Sequence, residues 1–205
     1  MSTAKLPVRE RLDGERRRAQ ILEGAMQIIS QRGYNGFAVQ ELARRCGITN
    51  AGVLYYFGTK EGLLIALLED RDRRDAAAVH TLAALTGQET HSELSIDKLV
   101  QVLHAIVARN SVQPEFVRLY AVLRAEALNH AHPACRFFIE REAVVLDAFA
   151  RMVAPHVVTP LATARQLLAV MSGLEDQWLR ADHGFDLIAE WDRGVARLLS
   201  LSAAW

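Results

Sequence analysis

Sulfur chemistry is nearly absent from this chain, with Cys46 and Cys135 the only cysteines among 205 residues. Two thiols so far apart build no disulfide framework and fit a reducing compartment. No apolar run approaches the roughly 18 residues that cross a bilayer, so no membrane partner is expected. The opening stretch MSTAKLPVRERLDGERRR carries no apolar segment of the secretory kind, which predicts a cytoplasmic protein. There is no glycine-rich phosphate loop, no nucleophile elbow and no long period-two alternation. The expectation is a helical protein that is not an enzyme and needs no cofactor.

Net charge is lacking as well: 24 Lys plus Arg face 24 Asp plus Glu. The balance hides an asymmetry. Residues 1–60 hold 10 basic and 5 acidic side chains, which leaves 14 basic and 19 acidic for residues 61–205. A basic end with an acidic remainder suggests that one part meets polyanionic phosphate, with an attraction that salt weakens.

Hydrophobic residues make up 51% of the chain, and their spacing is helical nearly throughout. Residues 1 to about 12 read as a basic arm. A helix follows from about Glu15 to Arg32, with Ile21, Ala25, Ile28 and Ile29 as its stripe and Gly33 as its stop. A long helix is predicted over 60–85, with polar residues 86–93 as a connector. Further helices run over about 95–110, 114–129, 132–155, 160–181 and 187–202, the last capped by Asp186. The fold class is all-α with about nine helices.

Residues 39–64 carry the most information. Val39, Leu42, Ala43 and Cys46 share one helical face, and Gly47 follows where a helix closes in the left-handed conformation. Val53 and Phe57 form the buried side of the next helix, which displays Thr49, Asn50, Leu54 and Tyr55. That is a helix-turn-helix whose second helix fits a major groove. Thr59 is placed to cap the following helix, with Lys60 and Glu61 in its first turn, and a helix N-terminus beside a lysine suits phosphate. The candidate DNA contacts are Thr49, Asn50, Tyr55 and Lys60, followed by Gln40, Ala51 and Tyr56. Ala51 would meet a thymine methyl.

Near the C-terminus, Leu167, Met171, Leu174 and Trp178 mark one stripe, and Trp191, Val195 and Leu198 another. Both are expected at a homodimer interface, with small Ala169 and Gly173 allowing close approach. A dimer would space two recognition helices one DNA turn apart, about 34 Å, to read a palindromic operator.

Other constellations have plainer readings. His130, His132 and Cys135 offer three zinc-type donors but no fourth, so the segment reads as a helix junction and no metal is expected. Glu175 and Asp176 point about 100° apart on a helix and read as rim or solvent charges. The run Asp70 to Asp75, DRDRRD, reads as a solvated helix face.

Residues 15–68 resemble the DNA-binding segment of the tetracycline-repressor (TetR) family of bacterial regulators. Gly33 and Tyr34 match the Gly-Tyr that ends that family's first helix. Gly47 through Glu61 align without a gap to its Gly-Val-Ser-x-x-x-Leu-Tyr-x-His-Phe-x-Ser-Lys-Glu pattern. Leu54 stands where a tyrosine is usual, and Phe37 and Ala38 replace the usual capping Thr or Ser. The helix opened by His132 and Pro133, and the Gly173 to Leu179 stretch, resemble later parts of the family.

The resemblance implies a homodimeric repressor: residues 1–60 would bind double-stranded DNA, and 61–205 would dimerise and take an unknown small-molecule effector. His104, Tyr120 and Arg124 are the candidates for orienting that effector in a mainly apolar pocket. The competing reading is a helical enzyme or small-molecule carrier whose N-terminal fold does not bind DNA.

Overall fold

A computed structural model describes residues 8–85 and 95–201, with side chains described over 13–75 and 95–199. Nine helices and no strand occur among the described residues: α1 (Val8–Arg32), α2 (Val39–Cys46), α3 (Asn50–Phe57), α4 (Lys60–Leu85), α5 (Ile96–Ser111), α6 (Pro114–Glu126), α7 (Cys135–Val153), α8 (Pro160–Arg180) and α9 (Leu187–Leu201). Helix α1 begins at Val8, so the expected arm is already helical over 8–12. The predicted connector 86–93 lies outside the described residues. No single described helix is long and apolar enough to cross a membrane.

Local chemistry sets the helix ends. Prolines open α6 and α8, where a missing N–H costs nothing. The Ser95 hydroxyl accepts from Lys98 N at 3.4 Å, and Asp186 Oδ1 from Ala189 N at 3.0 Å, capping α5 and α9. Helix α2 has Ala38 at its N-cap and no side-chain cap, as the loss of Thr or Ser there predicts.

The buried residues form two cores. The first joins Ile21 and Ile29 of α1, Leu42 of α2, Val53 of α3 and Leu63, Leu64 and Leu68 of α4. It also takes in Leu119 and Leu123 of α6. The domain boundary expected at residue 60 therefore coincides with the start of α4, while the head's core runs on past it. The second core gathers Leu99, Leu103 and Val107 of α5, Phe149 and Val153 of α7, Leu167 and Trp178 of α8, and Trp191 and Val195 of α9.

This second core corrects the interface expectation. Leu167 and Trp191 are fully buried, Val195 nearly so, and Trp178 is 6% exposed within one chain. The indole N–H of Trp191 donates to Leu103 O at 3.1 Å, which fixes α9 on α5. These four side chains have almost no surface to offer a partner. Met171, Leu174 and Leu198 remain half-buried.

Glu175 also departs from expectation. It is buried on α8 and accepts from Asn110 Nδ2 at 2.7 Å, and burial pushes its carboxyl above the usual range. Asp176 stays half-exposed beside Arg124.

Candidate nucleic-acid interface and ligand cavities

The head is built from short-range rules. Gly47 closes α2 at φ 66°, and its N–H reaches Ala43 O and Arg44 O. That left-handed turn is nearly free for glycine and strained for other residues. Ile48 N bonds Ala43 O at 3.0 Å, which swings the chain directly into α3. Thr49 Oγ1 accepts from Gly52 N at 3.0 Å and caps α3. This capping role of Thr49 escaped the sequence reading, although Thr followed by small residues is an N-terminal signal.

Val53 is fully buried beneath α3, while Tyr55 is 85% exposed. Gln40, Thr49, Ala51 and Leu54 are exposed as well, and Asn50, Tyr56 and Lys60 are half-buried. The Tyr55 and Tyr56 rings meet edge to face with centroids 5.4 Å apart. Such a contact restrains the orientation of an otherwise exposed ring.

At the start of α4, Thr59 Oγ1 accepts from Gly62 N at 2.9 Å, as expected for its cap. The Lys60 ammonium lies 4.3 Å from the centre of the Tyr34 ring and 5.5 Å from that of Phe37. Tyr34 O–H donates to Glu61 Oε1 at 2.9 Å. Burial, with Glu61 beside it, pushes the Tyr34 phenol upward, so it remains a donor at any physiological pH. Glu61 is held below the usual carboxylate range by its own backbone N–H and by Tyr34. Further cations edge the head: Arg18 lies 5.1 Å over Phe57, and Arg17 donates to Cys46 O at 3.3 Å.

The head is tied to the rest of the chain through Glu126 at the end of α6. Its Oε2 accepts from Tyr34 N at 2.9 Å, just after Gly33, whose φ is 70°. His132 packs edge-on to Tyr34 and brings Nε2 to 3.5 Å from the same carboxylate. Its Nδ1 accepts from Ala134 N at 3.2 Å, which puts the ring proton on Nε2. His130 instead contacts Cys135 Sγ at 3.6 Å, so these three donors belong to the junction between α6 and α7.

Among the described residues, two cavities stand out in the C-terminal part. The larger, about 580 Å³, sits between α4, α5 and α7 with Met171 of α8 at its edge. Ile106, Val145, Phe149 and Met152 make it largely apolar, and Asp72, Asp75, Arg109, Asn110 and Arg141 gather at its polar side. The smaller, about 340 Å³, lies between α6, α7 and α8.

Of the three effector candidates, Arg124 lines the smaller cavity. Tyr120 lines neither; its O–H donates to Asp72 Oδ1 at 2.8 Å from behind the wall. His104 is a surface residue paired with Asp192 at 2.9 Å, because α5 turns it toward α9 and away from both cavities.

The run DRDRRD is the main miss. Asp70 does pair with Arg73 and Arg74 near the surface, but Arg71 is 4% exposed. Arg71 bonds Asp75 at 2.9 Å and Gln113 at 2.6 Å, and Arg109 closes on Asp75 from α5. Arg141 of α7 donates from Nε to Asp72 at 2.8 Å. Apart from the Arg71–Asp75 pair, four residues apart, the partners of these charges lie far away in sequence, so no local signal marks them as inward.

A glycine turn, a capped second helix with its outer face bare, and a cationic flank define a helix-turn-helix head. Residues 21–67 match the family model for bacterial regulatory proteins of the tetR family. Over 48 residues the chain is 42% identical to the HTH-type transcriptional regulator YuxN of Bacillus subtilis, covering 23% of this chain and 16% of that one. It is 29% identical over 125 residues to the HTH-type transcriptional repressor NicS of Pseudomonas putida, covering 59% of this chain and 54% of that one. The chain thus spans about half or less of these relatives' lengths. A TetR transcription regulator from Haloarcula marismortui has the same fold, with a TM-score of 0.75 at 17% identity over 92% of this chain and 98% of that one. Residues 21–67 of this chain are therefore similar to the DNA-binding segment of tetR-family regulators.

Proposed function

We propose that this protein is a sequence-specific DNA-binding transcriptional regulator, a homodimeric repressor released from a palindromic operator by a small molecule. The observation that carries the reading is α3: its inner side chain Val53 is sealed in the core while Thr49, Ala51 and Tyr55 face outward beside Asn50. A helix seated this way can enter a major groove, with the Lys60 ammonium at the start of α4 meeting a phosphate.

Residues 1–60 act as the head and 61–205 as the dimerising and effector-binding part. Met171, Leu174 and Leu198 stay in the proposed interface, joined by the exposed small residue Ala169 and by Gly173, where an added Cβ meets nothing within 4 Å. An effector acts by its difference in affinity between DNA-competent and DNA-incompetent arrangements of the two heads.

The test is fluorescence anisotropy of the purified protein on DNA from upstream of its own reading frame, in a salt series. Affinity that falls steeply with salt supports the proposal. Binding that is absent, or indifferent to salt, favours a helical carrier or enzyme instead.

A further inference from the structure

The two cavities share one side chain, Arg141, which lines both. Its Nε donates to Asp72, and its guanidinium lies 4.8 Å over the Tyr120 ring. Among the described residues neither terminal nitrogen of Arg141 has a hydrogen-bond acceptor, and the side chain is 28% exposed where it lines the cavities. Those N–H groups are therefore presented to the cavities. Guanidinium donors in such a place are strong partners for a carboxylate, because the fork geometry matches its two oxygens.

Two more arginines converge on the smaller cavity from separate helices. Arg124 of α6 donates to Ser172 Oγ at 2.9 Å and touches Asp176 at 3.4 Å. Arg165 of α8 is exposed and has no acid partner among the described residues. Glu142, on the exposed side of α7, is the single acid in this lining. The opposite wall is apolar, with Phe138, Leu146 and Leu168.

The larger cavity gives a cation no comparable welcome. Asp72 is engaged by Tyr120 and Arg141, and Asp75 by Arg71 and Arg109. Its two other acids, Glu69 and Glu140, are exposed, and Glu140 pairs with Arg136 at 2.7 Å. Half-buried carboxylates already bonded have little to give a positive ligand, whereas Arg141 still holds unused donors among the described residues.

We propose that the effector is an organic acid with an apolar body, its anionic head held by Arg141 with Arg124 and Arg165, and its body lying on the adjoining apolar walls. This deepens the regulator reading above and rests on it for the word effector.

The probes are decanoate and naphthoate, with decanol and decyltrimethylammonium as neutral and cationic controls. Binding to the full chain is followed by isothermal titration calorimetry. At least one acid is expected to bind about tenfold tighter than decanol, as hydrogen bonds to a charged group imply. Arg165→Gln, at an exposed position, is expected to reduce that preference about threefold, and Arg141→Gln to abolish it while decanol binding stays unchanged.

Equal binding of acid and alcohol, tighter binding of the cation, or failure of both acids to bind overturns the proposal. So does an acid preference that survives in Arg165→Gln and in a folded Arg141→Gln. A chain that takes the acid but never holds DNA defeats the regulator reading and leaves the anion site standing.

Discussion

The bond from Tyr34 N to Glu126 Oε2 makes a sharp prediction, because it joins the head to α6 at a part-buried place. Tyr34 is 6% exposed, so its N–H has little solvent to replace a lost acceptor. Glu126→Ala orphans that donor, which costs about 1–3 kcal/mol, with the charged acceptor favouring the upper half. We expect about 2 kcal/mol. With a urea slope of about 1–3 kcal/mol per molar, the unfolding midpoint falls by roughly 1 M. Glu126→Gln keeps an acceptor oxygen and is expected to recover about half of the loss. Urea titrations followed by circular dichroism measure all three proteins. A change in Glu126→Ala no larger than about 0.5 kcal/mol, the scale of ordinary surface substitutions, refutes the reasoning.

Thr49→Ala removes the cap of α3 and is expected to cost about 1 kcal/mol in thermal or urea unfolding, with weaker binding to every DNA sequence; an unchanged midpoint contradicts this. Lys60→Ala should weaken binding alike across operators and lower the salt slope by about 1, whereas Asn50→Ala should change which bases are preferred; a base-preference change in Lys60→Ala means the head is oriented differently. Trp191→Ala should cost about 3–5 kcal/mol of stability in urea, because its ring is wholly inside one chain. Glu175 titrates above the usual range, so its protonated form favours folding and that contribution is lost as pH rises through the raised value. Glu175→Gln, which keeps an acceptor for Asn110, should therefore stabilise the chain at about pH 8 and gain less at about pH 5; equal gains at both contradict the buried-acid account.

What the sequence disclosed follows from the range of the interactions involved. The turn at Gly47, the seating of Val53 and the caps of Thr59 and Asp186 depend on residues within four positions, so their spacing alone expresses them. The inward charges of α4 do not. Asp72 and Asp75 turn inward because Arg141, Arg109 and Tyr120 arrive from three other helices, which no local pattern encodes. The same limit misplaced Trp178 and Trp191. An apolar stripe reports that something covers it, and here the cover is α5 and α7 of the same chain.

Amide hydrogen exchange with and without upstream DNA addresses the proposal at its centre. Added protection is expected over residues 49–55 and around Lys60, and it should vanish as salt is raised. Protection confined to α5–α9, or none on α3 while the DNA remains bound, contradicts the assignment of α3 as the reading helix.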